Sequence, residues 1–370
     1  MSSLQISIVV PTYGEEKNIP LLVERIDNVL TNTDYSYEII ISDDVSGDNT
    51  EQVCQELAQR FPLRLLSRTE NRGLSPAVID GITIATGDAV IVMDADLSHP
   101  PEKIIDIAEL LLKKEADFVV GSRYVKGGGL DESWPWWRWL NSIIATLPAR
   151  WLVPLADPMS GFFGLRRADM PAMEILSPIG YKIGLELLVK SGFRKERVRE
   201  VPILFRDRIH GESKMTLREQ LNYLRHLRRL YHYRWPKYIE ILQFLAVGSC
   251  GLIIDIACYL LLIAFGTPHL IARACSYVPA VTFNWLLNRT MTFGHRPRRP
   301  QLAQWLQYSV GSIVGFCASW GTYALATQYI SFFDEHRLLA FITGVVVATV
   351  FNFLLSDLLI FRKAPPKNSD

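Results

Sequence analysis

Val90-Ile-Val-Met-Asp-Ala-Asp-Leu-Ser-His-Pro-Pro-Glu102 couples a run that reads as a buried strand to two carboxylates two residues apart. Side chains alternate along an extended chain, which predicts Asp94 and Asp96 on one side. Like charges held that close repel. The pair is kept most easily by a hard divalent cation, Mg2+ or Mn2+, whose oxygen ligands link the carboxylates to each other or to a phosphate. Taken alone, an Asp-x-Asp reads equally well as a solvated turn capping the helix expected from near Pro101. The surrounding chain decides between the two.

A strand, turn and helix recur on both sides of this stretch. Ile6-Ser-Ile-Val-Val-Pro11 reads as a short buried strand, and Ile19, Leu22, Val23, Ile26 and Leu30 fall at helical spacing within Glu15–Leu30. Further strands are predicted at Tyr37–Asp43, Leu63–Arg68, Ala89–Asp94 and Asp117–Gly121, with helices near Asp48–Phe61, Leu74–Ala85 and Pro101–Lys114. This alternation predicts an α/β fold: an open, mostly parallel sheet under helices, with ligands bound beyond the carboxyl ends of the strands. Pro11-Thr-Tyr-Gly-Glu-Glu16 and Ser42-Asp-Asp-Val-Ser-Gly-Asp-Asn-Thr50 follow the first two strands and share that edge with Asp94 and Asp96. Tyr13 offers a stacking face, and Glu15 and Asp43 accept ring N–H or ribose hydroxyl donors, so a base and ribose fit between the clusters. Asp48–Thr50 also reads as an N-cap, and Asp43 or Asp44 as a plain strand end.

With 370 residues, two domains are the default expectation, and 49% hydrophobic residues with a mean hydropathy of +0.14 is high for a wholly soluble chain. The average hides unlike halves: a charged, mixed front to about residue 236, then four long apolar runs between Ile239 and Phe361. Formal net charge is +1, yet Arg194–Lys237 holds 13 Lys or Arg against 5 Asp or Glu, directly before the first apolar run. Anionic lipid, or a lipid bearing phosphate, is the partner this implies, and no nucleic acid is expected. Cys54, Cys250, Cys258, Cys275 and Cys317 lack Cys-x-x-Cys spacing and read as small packing residues. Met1–Glu16 has no basic leader, so the front half is expected to stay in the cytosol.

Several ordered motifs carry a resemblance. Pro11-Thr-Tyr-x-Glu, the Asp-Asp-x-Ser turn, Gly73-Leu-x-x-Ala77, Met93-Asp-Ala-Asp-Leu-Ser-His-Pro-Pro101, Gly121-Ser-Arg-Tyr124, Asp157-Pro-x-Ser-Gly-Phe162 and Gly211-x-Ser-Lys214 resemble dolichyl-phosphate mannose synthases. These are family 2 glycosyltransferases with a GT-A, Rossmann-like fold. By position, the resemblance implies donor contacts from Pro11, Tyr13, Glu15, Ile41, Asp43 and Ala95, and metal contacts from Asp94, Asp96 and Ser98. It also implies that Arg123, Arg138, Ser142, Arg208 and Lys214 hold the donor pyrophosphate or the acceptor phosphate; forked guanidinium groups suit phosphate oxygens. This sequence departs from the pattern at Gly14, where Asn is common, at Ser75, where a second Gly is frequent, and at Ser98, which is Gln in some members. It departs again at Val45, usually Gly; a β-branched residue resists positive φ, so that turn is expected to take another geometry.

Trp134-Pro-Trp-Trp-Arg-Trp139 and the apolar run to Val153 suit a membrane interface, where tryptophans concentrate, although core packing is the alternative. Over Thr216–Tyr233, Leu217, Leu221, Leu224, Leu227 and Tyr231 share one face of a helical wheel beside Arg218, Arg225 and Arg229, which predicts an interfacial helix. Candidate spans are Ile239–Phe265, Leu270–Leu287, Trp305–Ile330 and Leu338–Ile360, and basic residues at Arg296–Arg299 and Arg362–Lys367 place those segments on the cytosolic side. Four crossings return the C-terminus to the cytosol. Val247-Gly-Ser249 repeats as Val310-Gly-Ser312, and Phe283-Asn-Trp-Leu-Leu-Asn288 as Phe351-Asn-Phe-Leu-Leu-Ser356, so two similar helical hairpins are expected, similar to GtrA-like membrane domains. Asp255 and Asp357 are either functional carboxylates or members of interhelical hydrogen bonds.

The expected organisation is a catalytic domain over 1–215, an amphipathic juxtamembrane helix over 216–236, an all-α transmembrane domain of four helices over 237–363 and a tail over 364–370. The expected activity is metal-dependent transfer of mannose from GDP-mannose to a dolichyl or polyprenyl phosphate, with inversion, by an integral membrane protein whose catalytic domain and termini are cytosolic. The competing readings are a UDP-glucose or UDP-N-acetylglucosamine transferase, and a lipid-linked sugar flippase whose front half only binds.

Overall fold

A computed structural model describes residues 5–131, 136–177, 179–180, 182–206, 217–297 and 299–362. β1 (Ile6–Thr12) is buried along its whole length, because its continuous apolar run lies in the middle of a sheet covered on both faces. β2 (Tyr37–Asp43) and β4 (Ala89–Val92) flank it in parallel, and β3 (Leu63–Ser67) lies beyond β2. β5 (Phe118–Ser122), β7 (Phe163–Arg166) and β8 (Val198–Pro202) complete the seven-stranded order β3-β2-β1-β4-β7-β5-β8, in which β7 alone runs antiparallel to its neighbours. The two-residue strands β6 (Gly129–Leu130) and β9 (Leu204–Phe205) pair separately. The expected mostly parallel sheet is present, whereas β6 to β9 were not foreseen.

Helices α1 (Asn18–Leu30), α2 (Thr50–Leu57), α3 (Leu74–Ile84) and α4 (Lys103–Leu112) follow the first four of these strands. α1 buries Ile19, Leu22, Val23, Ile26 and Leu30, the face its periodicity predicts. Burying one such side chain stabilises by about 1.5–3 kcal/mol. α5 (Trp136–Leu152), α6 (Ile183–Lys190) and α7 (Leu217–Arg234) complete the first unit, which closes at Arg234. α7 packs on α5 and α6 through Tyr223, His226, Leu227 and Leu230, and the Tyr223 and Tyr231 hydroxyls donate to the carbonyls of Ala145 and Pro148. Of the predicted apolar face, Leu227 is therefore internal while Leu221 and Leu224 stay exposed.

The second unit, Trp235–Asp370, is helical: α8 (Pro236–Ala264), α9 (His269–Leu287), α10 (Gln301–Tyr329), α11 (Ser331–Glu335) and α12 (Arg337–Leu355). α8 pairs with α9, and α10 with α12. The sequence repeat is also a structural one. Gly251 of α8 lies so close to Asn284 of α9 that a Cβ there would overlap the amide, and Gly315 meets Asn352 in the same way. A π-helical turn then ends each hairpin, at Asn288–Thr292 and Ser356–Ile360, and Phe293 stacks on Phe361 with centroids 4.7 Å apart. Asp255 accepts a hydrogen bond of 2.6 Å from Ser276, and Asp357 meets Lys237 and Arg296, so both carboxylates join helices together. Pro236–Ala264 and Ile342–Ile360 are long and apolar enough to cross a membrane, and Leu252, Ile253, Leu260, Val346 and Val350 point out of the bundle.

Candidate active site

β4 ends at Val92, two residues before the first carboxylate, so Asp94 and Asp96 do not share a side by strand alternation. The chain turns instead: Leu97 takes φ 61°, a left-handed conformation that costs a non-glycine residue about 1–2 kcal/mol. The Asp96 carboxylate accepts the Ser98 N–H at 3.1 Å across that turn. Neither aspartate caps the next helix, whose N-cap is Glu102 with no side-chain cap bond. The capping alternative therefore fails. Asp94 keeps 33% of its side chain exposed while Asp96 is buried. Gly161 backs Asp94 so closely that a Cβ would lie 3.3 Å from Oδ2.

Ser98 Oγ is buried and meets no hydrogen-bond partner among the described residues. An orphaned hydroxyl two residues after Asp96 and four after Asp94 adds a third hard oxygen donor to the two carboxylates, and that donor chemistry suits Mg2+ or Mn2+. Among the described residues no group of three or more His, Cys, Asp or Glu could hold a metal. A cation at Asp94, Asp96 and Ser98 therefore needs further oxygens from phosphate and water, as Mg2+ in phosphate-binding sites does.

His99, absent from the predicted set, stacks on Phe162 at 5.3 Å, and its Nδ1 accepts the Asp94 N–H at 3.2 Å. Burial pushes its imidazole pKa down and outweighs the opposing pull of Asp94 and Asp96. It is neutral and fixes the Asp94 backbone. Its sequence signal was weak, because a histidine before Pro-Pro reads as a turn residue.

At the β1–β2 edge, Asp43 accepts hydrogen bonds from Thr12 Oγ1 at 2.9 Å and Ser46 Oγ at 2.8 Å, and Ser46 Oγ accepts the Gly14 N–H at 2.6 Å. These bonds lock the two loops into one crevice wall. Val45, within it, takes φ 47°, so the turn keeps the left-handed geometry that its β-branch was expected to prevent. Tyr13 is 55% exposed and Glu15 half-buried, with Glu15 accepting from Asn18 Nδ2 at 2.6 Å. Pro11, Ala95 and Ile41 are buried, Ile41 wholly within the core. The neighbouring Asp44 instead pairs with buried Arg68 and accepts the Gly73 N–H at 2.6 Å, pinning the loop into α3.

Arg123 is clamped by Asp157, with Nε and Nη2 donating to the two carboxylate oxygens at 2.7 and 2.8 Å. Burial alone raises the Asp157 pKa, but the Arg123 hydrogen bonds outweigh it and hold the carboxyl below the usual range. Tyr124 donates to Ser142 Oγ at 2.8 Å, which ties α5 to the turn carrying Arg123. Arg138 lies one turn earlier on α5, but its side chain, like Arg208 and Lys214, lies outside the described residues. The sequence motif contained Asp157 without assigning it this role. Lys182, just before α6, was missed altogether, since one lysine before an apolar run carries no pattern.

The model of Glycosyl transferase family 2 matches residues 7–171, and that of the GtrA/DPMS transmembrane domain matches residues 243–361. A dolichol-phosphate mannosyltransferase from Pyrococcus furiosus is 37% identical over 354 residues, covering 93% of this chain and 96% of that protein. One of the same name from Saccharomyces cerevisiae is 37% identical over 240 residues, covering 63% and 89%. Among solved structures, glucosyl-3-phosphoglycerate synthase from Mycobacterium tuberculosis overlaps 62% of this chain and 79% of its own at 19% identity, with a TM-score of 0.47.

Proposed function

Because this chain belongs to the family 2 glycosyltransferases and matches one dolichol-phosphate mannosyltransferase almost end to end, we propose that it transfers mannose from GDP-mannose to the phosphate of dolichol or another polyprenol. The observation that carries the reading is the turn at Asp94, Asp96 and Ser98, whose buried Oγ has no partner among the described residues, and it suits a cation bound together with a nucleotide diphosphate. When bound, that cation supplies charge neutralisation for the leaving diphosphate.

The exposed Tyr13 face and the Glu15 carboxylate bind base and ribose in the crevice that Asp43 builds. No strong general base is required. A phosphate monoester has its second pKa near about 6, so the acceptor is already mostly a dianion at neutral pH. His99 suits that scheme, since its Nδ1 is occupied by the Asp94 N–H. Arg138, Ser142, Arg208 and Lys214 orient the acceptor phosphate, and Arg123, fixed by Asp157, holds the donor side. An acceptor oxygen forms the new bond to the anomeric carbon as the bond to the diphosphate breaks, and GDP leaves with that electron pair. A single in-line displacement inverts the anomeric centre.

The membrane half crosses four times, through α8, α9, α10 and α12, with the catalytic half and both termini on the cytosolic side. Intact carboxylates at Asp94 and Asp96 oppose a flippase with an inert front. Removal of divalent ions tests the reading. Transfer is expected to stop in excess chelator, return with Mg2+ or Mn2+, and stay absent in Asp96→Ala; full activity in chelator contradicts it.

A further inference from the structure

The Asp157–Gly161 loop forms the floor behind Asp94 and is held from three sides. With Gly161 lying against the Asp94 carboxylate, its first residue clamps Arg123, and the backbone N–H groups of Ala156 and Asp157 donate to Glu200 at 2.9 Å each. The third hold comes from Lys182, whose ammonium donates to the Met159 carbonyl at 2.8 Å. That places Lys182 among Asp94, Asp157 and Arg123, all of which act on its charge, while its own charge in turn acts on His99. Arg123 commits its Nε–Nη2 edge to Asp157, and Lys182 is a second described cation that acts on both the Asp94 carboxylate and the loop behind it.

We propose that Lys182 is a further positioning residue of the transfer site, which holds the loop at Met159 and brings a positive charge to the diphosphate bound at Asp94 and Asp96. The inference rests on the phosphate-binding reading of that turn but not on which base the donor carries. A lysine here is a compact point charge on a long stem, which can keep the carbonyl bond and still face an arriving phosphate oxygen. Burial pushes its pKa down to about 8, and the Asp94 and Asp157 charges oppose that fall, so the ammonium remains the main form at neutral pH. A nucleoside diphosphate adds negative charge beside two aspartates. A cation already placed there lowers the cost of binding it.

The test is calorimetric titration of the full chain in detergent with Mg2+ present, using GDP and GMP on wild type, Lys182→Gln, Lys182→Met and Lys182→Arg. Loss of the charge is expected to weaken GDP about tenfold, roughly 1.4 kcal/mol, to weaken GMP much less, and to be largely rescued by Lys182→Arg. Melting temperatures within a few degrees of wild type accompany that result. Unchanged GDP affinity in both neutral variants overturns the proposal. So does equal loss for GDP and GMP with a matching fall in melting temperature in every variant, which marks a purely structural lysine. The same titrations with UDP separate the two claims: if wild type binds UDP in place of GDP, the donor assignment fails and Lys182 is judged on UDP.

Discussion

Asp157 has no solvent exposure, and Arg123 engages both of its carboxylate oxygens as well as donating its own N–H to Oδ2 at 3.1 Å. Removing the arginine leaves a buried charge without its partner, which costs about 3–5 kcal/mol. Arg123→Ala is therefore expected to lower the melting temperature as well as turnover, whereas loss of turnover with an unchanged melt would show that Arg123 acts on phosphate alone. Val45 shows the opposite kind of residue: it is 40% exposed, so its left-handed backbone is held by its neighbours and not by packing. Asp44 N–H bonds the Thr12 carbonyl, and Ser46 N–H bonds Asp43 Oδ2 at 3.2 Å, which fixes the turn on both sides. Val45→Gly relieves the strain at the expense of unfolded-state entropy, so a net gain of about 0.5–1 kcal/mol is expected in chemical denaturation; a loss of that size would mean the β-branch packs usefully. These residue-level facts explain what the sequence could show. Asp94 and Asp96 were legible as a pair because their spacing is local, but Lys182 and Asp157 meet them only through the fold, and nothing in one chain's composition announces that meeting.

Elements were legible where a long apolar period coincided with a buried face. α1 is the clear case, and Leu22→Ala there is expected to cost about 2–5 kcal/mol in a denaturation experiment, because the side chain is wholly buried. β6 and β9, two residues each, and β7, four residues, are too short for alternation to register, and tertiary pairing alone makes them strands. α7 shows a subtler limit. Its wheel carries apolar residues most of the way round, and α5 and α6 take the Tyr223, Leu227 and Leu230 side while Leu221 and Leu224 face outward. On α5 the exposed Ile144, Leu147 and Trp151, the last 78% exposed, have the same character. A fragment ending at Arg234 is expected to sediment with anionic vesicles through these side chains and the α7 arginines, and Leu221→Glu with Leu224→Glu is expected to weaken that binding at least tenfold. Vesicle binding unaffected by both changes would place the membrane contact elsewhere.

At the scale of the whole molecule, the chain divides after Arg234 into a sheet-based unit that contains every described site residue and a helical unit built from a repeat. The repeat was legible because Asn284 and Asn352 sit at matching positions in Phe283-Asn-Trp-Leu-Leu and Phe351-Asn-Phe-Leu-Leu, whereas the glycines they press on, Gly251 and Gly315, lie outside the matched Val-Gly-Ser letters and meet them only through the fold. Its topology is testable by labelling with a membrane-impermeant thiol reagent on a background without native cysteines. Gly266→Cys and Asp334→Cys are expected to react only from outside and Arg299→Cys only from the cytosol; Arg299→Cys reacting from outside would contradict the four-crossing arrangement. The proposed transfer from GDP-mannose to a polyprenyl phosphate is tested most directly by a donor assay. Purified protein with Mg2+ and a polyprenyl phosphate is given labelled GDP-mannose or labelled UDP-glucose, and the label entering the lipid phase is followed. The account predicts at least a tenfold preference for GDP-mannose in kcat/KM, about 1.4 kcal/mol in transition-state binding, with the product in the inverted β configuration. Lipid labelled chiefly from UDP-glucose contradicts the named donor, and a retained α linkage contradicts the single displacement.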